Sequence, residues 1–171
     1  MSELGRLDES AASCKQAIAL KPEFAEAHNN LGITLLELGR LEEAEASFIQ
    51  AIALKSNYAE AHNNLGNTFK ELNRLDEAEA SYIQAIALNS NYAVAHYNLG
   101  ITLQKLDRLV ESAASYKRAI QLKPDFDDAY NNMGVILEDF VSTKPDTDLQ
   151  KIIITFLDDG TYVRPADISR A

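Results

Sequence analysis

The sequence predicts an all-α solenoid of antiparallel helix pairs, and three observations predict it. The first is a period. AEAHNNLG begins at Ala25 and again at Ala59, AVAHYNLG begins at Ala93 and DDAYNNMG at Asp127, each 34 residues after the last. An array with that period stacks supersecondary units, none of which can bury its apolar face alone. The second is the spacing of apolar residues. Ala27, Leu31, Leu35 and Leu38 recur at helical steps, and Leu41, Ala44, Phe48, Ala51 and Ile52 do the same in the second half of the unit, so each half reads as an amphipathic helix. The third is the residue between the halves. Gly39, Asn73 and Asp107 recur there, and these residue types tolerate the left-handed conformation that ends a helix.

Taken in order, residues 1–24 form a partial unit, because Met1 falls at the eleventh place of the period. It has a second helix and almost no first, so Leu4, Leu7, Ala11, Cys14, Ala17 and Ile18 lack part of their cover. This reads as a fragment of a longer array, with self-association through the open N-terminal end as the expectation. Full units follow at 25–58, 59–92 and 93–126, then a half unit at 127–140. Within the first helices, Gly32, Gly66, Gly100 and Gly134 share one register. A mid-helix Gly costs about 1 kcal/mol against Ala, so four in phase imply close approach by a neighbouring helix. In the second helices Ala44, Ala78, Ser112 and Ser10 hold the small site; Phe48, Tyr82, Tyr116 and Cys14 hold the large one. Cys14 therefore reads as a small core residue. Pro22 and Pro124 end one helix and suit the first turn of the next. After Phe140 the period breaks. Residues 141–171 form a non-repeat segment in which Leu149, Ile152, Ile153, Phe156 and Leu157 mark a helical face that would cap the array. A rival hairpin is signalled by Asp159-Gly160 before Thr161-Tyr162-Val163.

Composition narrows the function. The chain has 171 residues, 46% of them hydrophobic, and a net charge of −10. No run approaches the 18 or so apolar residues of a membrane span, and MSELGRLDES lacks the basic and apolar regions of a signal peptide. A cytoplasmic location is the expectation. The acidic balance disfavours nucleic acid and anionic membranes and favours a neutral or basic partner. Cys14 is the single cysteine, too few for a disulfide or a structural zinc site.

Candidate chemistry is sparse. His28, His62 and His96 share a register with Tyr130, but neighbouring helices stand roughly 8 to 10 Å apart, while zinc needs ligands at about 2 Å. The place wants a flat, half-polar ring, and no metal or cofactor is expected. No nucleophile pairs with a base and no Gly-rich loop could cradle a phosphate, so no catalysis is expected. Acids such as Glu42, Glu43, Glu77 and Glu79 lie near second-helix starts, where they favour the macrodipole. The informative signal is asparagine. Asn30, Asn64, Asn98 and Asn132 recur in the first helices, although Asn is a poor mid-helix residue. They lie on a stripe that reads Glu26, Asn30, Ile33, Glu37; then Glu60, Asn64, Asn67, Glu71; then Val94, Asn98, Ile101, Lys105; then Asp128, Asn132, Val135, Asp139.

Leu31, Gly32, Ala44, Phe48, Ala51, Pro22 and Pro124 together resemble the tetratricopeptide repeat, over roughly residues 1 to 140. The resemblance implies a right-handed superhelix with a concave groove lined by the first helices. The asparagine stripe resembles the ladder in the tetratricopeptide arm of the O-linked N-acetylglucosamine transferases. It implies a non-catalytic scaffold that holds a protein or extended peptide segment in the groove. An amide presents both donors and acceptors to a peptide backbone. The expected peptide-binding set is Asn30, Asn64, Asn98 and Asn132 with Asn29, Asn63, Tyr97, Asn131, Ile33, Asn67, Ile101, Val135, Glu37, Glu71 and Lys105. The alternative is the substrate-presenting arm of a larger, glycosyltransferase-like enzyme. The clamp that other tetratricopeptide proteins use on a chaperone's C-terminal carboxylates needs Lys or Arg on this stripe, which carries Asn29, Asn30, Asn63, Asn64, Val94 and Asn98 instead.

Overall fold

The computed structural model describes residues 3–142, with side chains from 4 to 136. Every element among them is an α-helix: α1 Glu3–Leu20, α2 Ala25–Glu37, α3 Leu41–Leu54, α4 Ala59–Glu71, α5 Leu75–Leu88, α6 Ala93–Lys105, α7 Leu109–Leu122 and α8 Asp127–Ser142. This is the expected all-α repeat fold. Helix α8 runs two residues past the expected end of the array. The remainder of the C-terminal segment, including the cap or hairpin at 149–163, lies outside the described residues. The chain divides into two compact units, Met1–Ala95 and His96–Ala171.

In the first unit, α2 and α3 form one hairpin and α4 and α5 the next; α1 packs on α2, α3 on α4, and α2 also meets α4. The left-handed exits are where the sequence places them, with φ of 71° at Gly39, 58° at Asn73 and 60° at Asp107. Each closes the helix end with two backbone bonds. Arg40 N–H reaches the Leu35 carbonyl at 2.8 Å and Gly39 N–H the Leu36 carbonyl at 3.0 Å. The pairs Arg74 to Phe69 and Arg108 to Leu103 repeat the longer bond at 2.8 and 2.9 Å. Two otherwise orphaned carbonyls are thereby satisfied at every turn.

The register of glycines is explained by the second helix of the same hairpin. A Cβ added at Gly32 would stand 2.6 Å from the Phe48 ring, one at Gly66 2.6 Å from Tyr82, and one at Gly100 2.6 Å from Tyr116. The three rings are fully buried, as are the small residues Ala44, Ala78 and Ser112 one turn before them. Ser112 stays satisfied by donating to the Gly100 carbonyl at 2.7 Å. In the second unit Tyr116 belongs to a core with Ala113, Ala119, Ile120, Ala129, Met133 and Ile136. Cys14, in the ring register, is half-buried, and burial pushes its thiol pKa up, away from a reactive thiolate.

At the junctions of successive repeats, lysines after the second helices rest on aromatic rings. The Lys21 ammonium lies 5.4 Å from the Phe24 ring centre, Lys55 4.4 Å from Tyr58, and Lys123 4.9 Å from Phe126. The corresponding residue of the remaining unit is Asn89, which cannot make such a contact.

On an exposed helix Gly→Ala would stabilise by about 1 kcal/mol. Gly66→Ala is expected to do the opposite and destabilise by roughly 1 to 3 kcal/mol, because the Tyr82 ring must move. Urea unfolding of the two proteins measures this, and a stabilised variant would show that the ring contact does not set the helix spacing.

Candidate functional site

The first helices carry the stripe, and each unit holds a pair of its asparagines. In the first unit Asn30 on α2 is exposed and Asn64 on α4 is half-buried. Asn64 Nδ2 donates to Asn29 Oδ1 at 3.1 Å, and Asn63 Nδ2 lies 3.5 Å from Asn64 Oδ1. The Asn64–Asn29 bond links α4 to α2, with Asn63 alongside it on α4. In the second unit Asn132 on α8 donates to the Tyr97 hydroxyl on α6 at 3.3 Å. Both links join a ladder asparagine to the residue before the ladder position one repeat earlier.

Three amides of the expected set are closed off from solvent. Asn29 and Asn63 are only 5% and 2% exposed, because their register faces the adjoining helix. Asn98 is 7% exposed and is engaged within the protein. A polar side chain closed off from water must find its partners inside. Asn67 is half-buried and has a similar duty, since its Oδ1 accepts the Tyr82 hydroxyl at 2.8 Å. The first full repeat has Phe48 in the ring place and Ile33 opposite it. The change to a phenol at 82 is therefore matched by an amide at 67. Tyr116 finds Gln104 Oε1 at 3.0 Å instead, and Ile101 stays apolar.

The rest of the expected set is more open. Glu37, Glu71, Lys105 and Asn131 are exposed, Val135 is exposed, and Ile33, Ile101, Tyr97 and Asn132 are half-buried. Beneath the stripe a row of threonines holds the ladder backbone. Thr34, Thr68 and Thr102 donate to the carbonyls of Asn30, Asn64 and Asn98, each at 3.0 Å.

His28 and His62 serve the turns. His28 Nε2 lies 2.9 Å from the Pro22 carbonyl oxygen, and His62 bonds the Ser56 backbone. Among the described residues no group of three His, Cys, Asp or Glu could hold a metal ion, and no helix is long and apolar enough to cross a membrane.

Sequence reading missed the arginines at the hairpin turns. Arg40 clamps the Glu43 carboxylate with Nε at 2.7 Å and Nη2 at 2.6 Å. Arg108 does the same to Glu111, and Arg74 holds both Glu77 and Glu45. The signal was present as an Arg with a Glu three residues later at 40, 74 and 108. The charged hydrogen bonds hold Glu43, Glu77 and Glu111 below the ordinary carboxylate range. On the stripe, Glu26 is paired with Lys55 at 3.1 Å. Its carboxyl is lowered first by a backbone hydrogen bond and then by that lysine.

Two outcomes follow for stability. A double-mutant cycle on Asn29→Ala and Asn64→Ala should return a coupling of about 0.5 to 1.5 kcal/mol; additive effects would mean that the amide link contributes nothing. Burial lowers the pKa of His62 below its ordinary 6.5. The unfolded chain then binds the proton more readily, so the stability tied to neutral His62 is complete above that value. It is lost as pH falls through it toward the depressed folded value. Stability measured against pH should fall more steeply in the wild type than in His62→Gln, and parallel curves would refute this.

Comparison with known proteins agrees with the repeat fold. A family model described as TPR repeat matches residues 3–39, 34–73 and 66–107, and one described as tetratricopeptide repeat matches 93–126. No match was found among curated proteins. Among solved structures, a crystal structure of MamA is 25% identical, with a TM-score of 0.75, covering 92% of this chain and 94% of that one. A second crystal structure of MamA protein is 26% identical, with a TM-score of 0.73, covering 90% and 82%. The first TPR of Spaghetti (RPAP3), bound to the HSP90 peptide SRMEEVD, is 22% identical, with a TM-score of 0.67, covering 68% and 93%. With a repeat model matched in tandem over more than half its length, and its own helix pairs built on the same period, the chain belongs to the tetratricopeptide repeat family.

Proposed function

We propose that this chain is a non-catalytic interaction scaffold that binds an extended, neutral or basic peptide along the face of its first helices. The observation that carries the reading is Asn30. It is exposed in mid-helix, where a better helix former would stabilise by up to about 0.7 kcal/mol. Ile33 follows three residues on and the exposed Glu37 four beyond that. An amide, an apolar contact and a carboxylate at one-turn intervals suit a peptide backbone, a side chain and a positive charge in turn. Asn64 retains donor and acceptor capacity after its link to Asn29, since a side-chain amide has two N–H groups and two lone pairs.

Support also comes from the fold. The related repeat domain of Spaghetti holds a peptide, so helix pairs of this kind can present a peptide-binding face. That peptide, SRMEEVD, ends in acidic residues. The stripe described here carries Glu26, Glu37, Glu60 and Glu71 in its first unit, and the charge it prefers is the opposite. Self-association is a second part of the proposal, supported by Leu4 and Leu20 on α1, which are 62% and 90% exposed.

Fluorescence polarisation with labelled Ser/Thr/Val peptides, carrying either several lysines or several glutamates, tests the reading. Asn30→Ala should weaken binding of the lysine peptide by about 0.5 to 1.5 kcal/mol at unchanged melting temperature. Added salt should weaken it further, because exposed charges are screened beyond about 8 Å at physiological ionic strength. Preference for the glutamate peptide, or indifference to Asn30→Ala, would overturn the proposal.

A further inference from the structure

In the second unit the ladder has different company. Tyr97 stands where the two preceding repeats place Asn29 and Asn63. Its half-buried ring lies 4.7 Å from the Phe126 ring at 42° and 5.9 Å from the Tyr116 ring at 45°. Its hydroxyl accepts from Asn132 Nδ2, which leaves the phenolic proton to donate to an outside acceptor. Asp128 is exposed one helical turn before Asn132 on α8. It is close enough to raise the Tyr97 pKa, second to the effect of burial. Burial pushes Tyr116 up to about 12. Both phenols are neutral near pH 7, so the negative charge at this spot is that of Asp128.

The acid at the same register of the first full repeat has a cation beside it. In the first full repeat the matching acid, Glu26, is taken up by Lys55, 29 residues later. Lys123 lies over Phe126 at 4.9 Å.

A half-open aromatic ring with a carboxylate beside it recognises a cation on an aliphatic stem. We propose that Tyr97, Asp128 and Asn132 form a subsite for one lysine or arginine side chain of a bound peptide. The stem lies on the Tyr97 ring, the charge meets Asp128, and the Tyr97 hydroxyl donates to a carbonyl of the peptide backbone. The subsite rests on the peptide-binding reading and narrows it, because it assigns the basic side chain to the second unit and to a defined ring.

The test uses the whole chain and small probes, so that it does not depend on knowing the peptide. N-acetyl-lysine-methylamide and its norleucine counterpart are titrated while the Tyr97 ring and the Asn132 side-chain amide are followed by NMR. The lysine compound should give a saturable shift and the norleucine compound none. Asp128→Asn, a surface change, should weaken the lysine response roughly three- to tenfold. Tyr97→Phe, which keeps the ring and the fold, should retain most of it at the Asn132 signal. An equal response to norleucine, or a response unaltered by Asp128→Asn, overturns the subsite. If the lysine compound binds while the long peptides of the preceding section do not, the subsite stands and the scaffold reading falls. If the long peptides bind through Asn30 but ignore Asp128→Asn, the scaffold reading stands and the subsite falls.

Discussion

Each hairpin depends on one contact, an aromatic ring of the second helix laid against the backbone of the first at a glycine. Phe48 on Gly32, Tyr82 on Gly66 and Tyr116 on Gly100 are the same contact three times. Much follows from it. The ring can approach only where no Cβ stands, so the first helix accepts the conformational cost of a mid-helix glycine. Where the ring is a phenol, its hydroxyl is carried into a closed space and must be met there. Asn67 and Gln104 meet it, and the repeat with a phenylalanine needs no such partner. A substitution in one helix is thereby tied to a substitution on the stripe of another.

Between repeats the connection is polar as well as apolar. Asn29 with Asn64, and Tyr97 with Asn132, bridge successive first helices, while Glu26 with Lys55 and Glu45 with Arg74 bridge repeats at the rim. The amides have the greater structural weight, because they are partly withdrawn from water, where a hydrogen bond is strong and an unmet group is expensive. The ion pairs are open to solvent and screened by salt. One row of asparagines therefore serves two ends. Asn64 and Asn132 fasten neighbouring repeats, and in the proposed reading the part of an accessible amide left over is what a peptide would meet. In the proposed reading the two duties compete for the same atoms, so Asn30, the exposed member of the ladder, is the residue at which binding would separate from folding.

The two units present different surfaces on one scaffold. The first offers amides and carboxylates in regular alternation. The second has Tyr97 in place of one amide and Ile101, Val135 and Asp128 at positions of the stripe. Repeat proteins acquire specificity in this way, because a common backbone stack tolerates substitution at the face positions without disturbing the ring and glycine beneath.

How much of this could be read from the chain alone is a matter of range. The period, the two helices per unit, the left-handed turns at Gly39, Asn73 and Asp107, and the close approach at the glycines all rest on forces that act within about one turn or one hairpin. The residues that encode them stand side by side in the sequence. Register could say that Asn30, Asn64, Asn98 and Asn132 share a stripe. It could not say which amide is open, because that depends on what a helix 35 residues away places opposite it. Only the packed structure decided that Asn29, Asn63 and Asn98 are closed off, that Asn67 is bound to Tyr82, that the turn arginines hold carboxylates, and that Asn132 meets the Tyr97 hydroxyl. Those outcomes arise from side chains meeting across repeats, and a one-dimensional period carries no record of such a meeting.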